Sequence, residues 1–142
     1  MHGKNKTICI AGKNQCAIDA LSFISKKFKD FRILALPNKS DNGSDGWQKS
    51  FKKFAKIKKI KITSIEELYN IENLYLFSLE YENIIKVNKF KSKKLFNLHF
   101  SLLPKYRGCS SIAWAIANGE KICGFTYHYM NEKYDDGKII LQ

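Results

Sequence analysis

Three short stretches of this sequence place chemistry-bearing side chains at usable spacing. In Asn97-Leu98-His99-Phe100-Ser101, a strand would set Asn97, His99 and Ser101 on one face and Leu98 and Phe100 toward a core, because side chains alternate with a period of two. An amide beside an imidazole suits reaction at a carbonyl. The amide can stabilise a developing oxyanion, and the imidazole can move a proton or assist the same oxygen. A polar strand face that merely meets solvent has the same pattern. In Gly12-Lys13-Asn14, a glycine between an apolar run and a helix lets backbone N–H groups approach an anion at the helix start. A plain tight turn reads the same way, and the further glycines of G-x-G-x-x-G are absent, so no dinucleotide fingerprint is supported. In Asp135-Asp136-Gly137, adjacent acids before glycine make a turn, and a carboxylate brought near His99 would hold its ring.

The elements that must position these residues follow from hydrophobic periodicity. Lys6–Gly12 is a short apolar strand closed by glycine. Asn14–Lys29 carries a helical stripe of Ala17, Ile18, Leu21, Ile24 and Phe28, and Phe31–Leu36 is a second strand stopped by Pro37. Strand, turn, helix and strand make a βαβ unit, hence a parallel sheet. Asn38–Gly46 is a loop by composition. Trp47–Ile57 reads as an amphipathic basic helix with Trp47, Phe51, Phe54 and Ala55 on its buried face. Its lysines form a solvated face rather than a nucleic-acid stripe, since the aromatics are not interleaved with them. Lys59–Thr63, Asn73–Leu79, Leu95–Phe100, Gly124–Met130 and Lys138–Leu141 are further strands. Ser64 with Glu67 signals a capped short helix, and Ser110–Ala117 a helix closed by Asn118-Gly119. Alternating strands and helices define an α/β fold with a mostly parallel sheet flanked by helices. Ligands of such sheets bind beyond the carboxyl ends of strands, which directs attention to residues 12–14, 78–80 and 97–101.

Composition narrows the classes. With 142 residues and 44% apolar content, the chain suits one domain with a real core and is not a disordered tail. Lys and Arg number 25 against 13 acids, a net charge of +12. That balance favours anionic partners, but in a sequence rich in Lys, Asn, Ile, Phe and Tyr together it reads first as compositional drift, with the lysines on solvated faces. No apolar run approaches the roughly eighteen residues of a membrane span. Lys4, Lys6 and Lys13 bracket the first apolar stretch, so no secretory leader is read. Cys9, Cys16, Cys109 and Cys123 fit no zinc or disulfide spacing. Reduced, partly buried thiols, no metal and a cytoplasmic location are the expectations.

The stretch Asn97–Gly108 (N-L-H-F-S-L-L-P-K-Y-R-G) resembles the signature of folate-dependent formyltransferases. The resemblance continues through Trp114-Ala115-Ile116-x-Asn118-Gly119-Glu120, Gly124-x-Thr126, Met130 and Asp135-x-Gly137-x-Ile139. It implies a Rossmann-like catalytic domain that moves formyl from N10-formyltetrahydrofolate to a primary amine without a metal. The family's catalytic residues map onto Asn97, His99 and Asp135, with Asp135 preferred over Asp136 by the Asp-x-Gly pattern. Asn97 and His99 would stabilise the oxyanion. Asp135 would orient His99, raise its pKa and accept the amine proton through water.

The N-terminal half indicates the branch. Cys9–Asn14, Gly46–Phe51 and Phe77–Ile85 resemble sugar-nucleotide N-formyltransferases acting on dTDP-linked amino-dideoxy sugars. The methionyl-tRNA branch carries a T-x-P-D-x-x-x-G-R-G loop where this chain has Leu36–Ser40. By that resemblance Phe77, Ser78, Leu79, Glu80 and Tyr81 line the folate pterin site. Gly12, Lys13 and Asn14, with Lys105 and Arg107, lie near the sugar nucleotide. Partners are then small molecules and a homodimeric copy, not membrane or nucleic acid. The family's domain extends past the Asp-x-Gly-x-Ile strand, whereas this sequence stops at Gln142, so a single domain over residues 1–142, incomplete at its C-terminus, is expected. A methionyl-tRNA formyltransferase fragment and an inactive remnant serving as a binding module are the alternatives. An exposed apolar edge at Ile139–Leu141 would favour the remnant.

Overall fold

The structure, a computed structural model, describes residues 6–142; Lys4 lies outside them. No helix among the described residues is long and apolar enough to cross a membrane. The chain divides after Leu95 into two compact units.

The first unit is built on strands β1 (Thr7–Gly12), β2 (Arg32–Pro37), β3 (Lys61–Ile62) and β4 (Leu74–Leu79). They pair in the order β3-β2-β1-β4, all parallel. Every residue of β1 is buried, as expected for the inner strand of a parallel sheet covered on both faces. Helix α1 (Asn14–Lys27) turns Ala17, Ile18 and Leu21 into the core. It ends two residues before the periodicity suggests. The Phe28 N–H closes on the Ile24 carbonyl at 2.9 Å, and the Phe28 ring packs edge-on against Phe31. Helix α3 (Ile65–Leu68) starts at the expected cap, where Ser64 Oγ accepts the Glu67 N–H.

Helix α2 (Phe51–Ile57) is shorter than expected, and Trp47 is not on its buried face but 93% exposed. The cause is a cluster of carboxylate acceptors that fixes the helix start. Asp41 accepts Ser50 Oγ–H and the Lys52 N–H, and Asp45 accepts the Ser50 N–H. Ser50 Oγ then accepts the Lys53 N–H at 2.9 Å. Helix therefore begins at Phe51, burying Phe51 and Ala55 and leaving Trp47 in the loop.

The second unit pairs β5 (Lys94–His99), which spans the division, with β6 (Thr126–Tyr129) and β7 (Ile139–Leu141), all antiparallel. The sheet of the first unit is thus the parallel part. Helix α4 (Ser111–Ala117) follows the expected range and leads into Gly119 at φ 67. It buries only Ser111 and Ala115, leaving Ile112, Trp114 and Ile116 exposed. All three residues of β7 are exposed. The expectation that Leu98 and Phe100 enter a core is not met. Both are part-exposed, as is Asn97, while His99 and Ser101 are buried, with Thr126 and His128 of β6 beside His99 and Asn97 on the same face.

All four thiols are free, as expected, but their burial is uneven: Cys9 is buried, which pushes its pKa far up, Cys16 is part-buried, and Cys109 and Cys123 are exposed.

Candidate active site

The second unit brings Asn97, His99 and Asp135 together. On β5 the first two share a face. Across the ladder His128 stands opposite Asn97, and Thr126 opposite His99. Directly opposed residues share a face, so four polar side chains stand together; His99, Thr126 and His128 are buried. Asp135, between β6 and β7, supplies the charge. Its Oδ2 accepts the Gly108 N–H at 2.8 Å and lies 3.5 Å from His99 Nδ1. Its Oδ1 accepts an N–H of Asn97 Nδ2 at 3.3 Å and lies 3.5 Å from His128 Nε2. Asn97 Nδ2 is also 3.4 Å from His128 Nε2. One carboxylate therefore meets an amide and two imidazoles. Ser101 does not join this group; its Oγ donates to the Lys105 carbonyl at 2.7 Å.

The backbone around the cluster is held in unusual conformations. Tyr106, Ser110 and Asp135 have φ of 55, 59 and 47, a left-handed region that costs an L-residue about 1–2 kcal/mol. Tyr106 aims its carbonyl at His99, whose Nε2–H donates to it at 2.7 Å. A carbonyl can only accept, so Nε2 carries a proton and Nδ1 faces Asp135. Gly137 is required by close approach. A Cβ there would sit 1.7 Å from the Tyr129 carbonyl oxygen and 3.5 Å from His128 Nδ1. Asp136 turns elsewhere and pairs with Arg107 at 2.6 Å. Lys105 pairs with Glu120 at 3.1 Å.

Burial works against a charged Asp135. The His128 hydrogen bond, the Gly108 N–H and the imidazole charges outweigh it and hold the carboxyl below the ordinary Asp value. Burial also works against a charged His128, yet Asp135 and the Tyr129 carbonyl, which accepts from Nδ1 at 2.8 Å, push it above the ordinary histidine value. Each shift is one partner's side of the same attraction. Sequence reasoning missed His128. The alternation of Gly124–Met130 sets Thr126 and His128 on one face, and pairing that face with Asn97-x-His99 would have found it.

The first unit joins two other expected sets. A Cβ on Gly12 (φ +155) would lie 1.8 Å from the Leu79 carbonyl oxygen, so glycine lets the ends of β1 and β4 close up. Asn14, at the start of α1 with φ 61, donates to the Glu80 carboxylate at 3.0 Å. Buried Asn38 donates to the Glu80 carbonyl at 2.9 Å and accepts the Glu82 N–H at 3.2 Å. The turn 12–14 and the stretch 77–81 are thus one hydrogen-bonded corner, with Ser78 and Leu79 buried and Phe77, Glu80 and Tyr81 part-exposed. Lys13 and Asn14 also line an open cleft of about 220 Å³ with Asp41, Trp47 and Lys49.

Residues 79–142 match the family model described as formyl transferase. GDP-perosamine N-formyltransferase of Brucella melitensis is 36% identical over 117 residues, covering 78% of this chain and 45% of the relative. Two solved structures superpose closely. WlaRD, a sugar 3N-formyl transferase crystallised with dTDP and 5-N-formyl-THF, is 48% identical at a TM-score of 0.90, covering 95% of this chain and 50% of its own. The N-formyltransferase of Helicobacter canadensis, in complex with folinic acid and dTDP-3-aminofucose, is 45% identical at a TM-score of 0.91, covering 95% and 51%. The chain spans about half the length of these proteins.

Proposed function

We propose, for a chain whose residues 79–142 carry a formyl transferase domain, that it transfers formyl from N10-formyltetrahydrofolate to the amine of a dTDP-linked amino-dideoxy sugar. The observation that carries this reading is the convergence of Asn97, His99 and an ionised Asp135 within 3.5 Å contacts. The donor set fits the folate: acyl transfer to an amine needs a donor for the developing oxyanion, a proton carrier and a base. When bound, the folate supplies a formyl carbon open to attack by a neutral amine. Asn97 donates an N–H to the formyl oxygen as its charge grows. His99, as the imidazolium with its Nε2–H on the Tyr106 carbonyl, offers Nδ1–H to the same oxygen. Asp135 takes the proton the amine loses as the new C–N bond forms, and that proton returns to the departing folate nitrogen as the old bond breaks.

Phe77–Tyr81 are assigned to the folate pterin through backbone groups, and Gly12–Asn14, Lys105 and Arg107 to the sugar nucleotide. Support for Lys13 and Asn14 is their place on the cleft with Trp47 and Lys49. Location in the cytoplasm and a homodimeric assembly belong to the same proposal. A second reading, an inactive binding module, is an outcome of the same test.

The test incubates the purified chain with N10-formyltetrahydrofolate and dTDP-3-amino, dTDP-4-amino and GDP-4-amino sugars, with mass spectrometry of the products and a circular dichroism melt of the same sample. A formylated dTDP-sugar supports the main reading. Formylation of the GDP-sugar alone overturns the nucleotide assignment. A cooperative melt with no product supports the binding module.

A further inference from the structure

Resting on that reading of the site, we propose that His128 is a positioning residue whose charge decides what the Asn97 amide does. Protonated, it donates Nε2–H to Asp135 and releases an amide N–H toward the reacting oxygen; neutral, it accepts that N–H and withdraws it.

The geometry carries the argument. His128 is 2% exposed, so water does not complete its hydrogen bonding. Nδ1 donates to the Tyr129 carbonyl at 2.8 Å, which leaves Nε2 as the only ring atom whose role changes on titration. Nε2 faces a donor, Asn97 Nδ2 at 3.4 Å, and an acceptor, Asp135 Oδ1 at 3.5 Å. A neutral Nε2 is an acceptor and can pair only with the amide. A protonated Nε2 is a donor and can pair only with the carboxylate.

The amide has two N–H groups. One goes to Asp135 at 3.3 Å. With neutral His128 the second goes to Nε2, and neither remains for substrate. With protonated His128 the second is free. The titratable groups facing this switch are Asp135, from the turn after β6, and His99 on β5, which meets the other oxygen of the same carboxylate. The raised pKa of His128 puts the change above the ordinary histidine range, on the side where a sugar amine begins to lose its proton.

Ring titration of His128 by NMR on the full chain tests the switch without any assay. Asn97→Ala removes the partner of the neutral form, so the titration moves up. Asp135→Asn removes the partner of the charged form, so it moves down. Asn97→Ser replaces the alanine variant if the latter fails to fold. Opposed shifts support the proposal even in a chain that forms no formylated sugar, where the functional reading alone fails. No shift, or two shifts in one direction, overturns it. In an active preparation, kcat falls by about a hundredfold as His128 deprotonates, the size of losing one oxyanion donor. His128→Gln cannot titrate and abolishes that limb; a limb unchanged in His128→Gln overturns the proposal.

Discussion

Two corners of this molecule are made of similar residues and hold different things. In the first unit, Gly12, Asn14 and Asn38 gather at the ends of β1, β2 and β4. They are tied mainly by amide hydrogen bonds, with Asn38 gripping the backbone of Glu80 and Glu82. In the second, Asn97 and His99 of β5 meet His128 of β6 around one carboxylate. In the first corner Asn14 donates to the Glu80 carboxylate, and it is Asn38 that contrasts with Asn97. Asn38 has no titratable side chain as its hydrogen-bond partner and keeps its bonds at any pH. Asn97 shares its N–H groups between Asp135 and His128, so its bonding follows their protonation. The first corner holds a shape, and the second holds a charge. The same side chain is scaffolding in one place and chemistry in the other, and its partners decide which.

The comparison is sharpened first by activity. His99→Ala is expected to lower kcat by about a thousandfold, equivalent to about 4 kcal/mol, while the dissociation constant for folate, read by calorimetry, stays within about twofold. Equal loss of both would make His99 structural, and the two corners would then differ in composition only. Gly12→Ala should do the converse. Its Cβ collides with the Leu79 carbonyl, so a loss of about 3 kcal/mol in stability is expected, seen as a fall of about 10 °C in the melt. Asn38→Ala leaves the Glu80 carbonyl and the Glu82 N–H without their partner and should cost about 2 kcal/mol. That loss, from urea midpoints, should be the same at pH 5 and pH 8. A loss that changes with pH would break the contrast with Asn97.

Side chains in local motifs were legible in the sequence, and what depends on a second strand or on backbone was not. Asn97 and His99 could be paired because a strand's alternation is a local pattern, whereas Asp135 joined them only through the resemblance to formyltransferases, whose Asp-x-Gly pattern separates it from Asp136. The βαβ opening could also be read from a local pattern: the periodicity switches at Gly12. His128 was invisible to a reading made one strand at a time, since its meaning comes from the register that sets it opposite Asn97. The Tyr106 carbonyl and the Gly108 N–H are backbone groups and leave no trace in side-chain pattern. Trp47 was misplaced because helical spacing continues through it. The start of α2 is set instead by carboxylates six and ten residues before Phe51, from Asp45 and Asp41.

The smallest expected effect is the pH dependence of stability, and it has two limbs of opposite origin. Asp135 is held below its ordinary value. Its contribution is fully present above about pH 3.9 and is lost as pH falls through the lower, folded value. His128 is held above its ordinary value. Its contribution is fully present below about pH 6.5 and is lost as pH rises through the higher, folded value. Protection of the β5–β6 amides in hydrogen exchange, corrected for the intrinsic rate, should therefore be greatest between these limits and decline on both sides. His128→Gln should flatten the alkaline decline and soften the acid one. Asp135→Asn should flatten both, because each group's shift rests on the other. The β1 amides of Ile8 to Ile10 lie in the middle of the strand that leads into the first corner, away from such a pair, and their protection should show neither decline. Equal slopes in β1 and β5 would mean that the charge is not confined to the second corner.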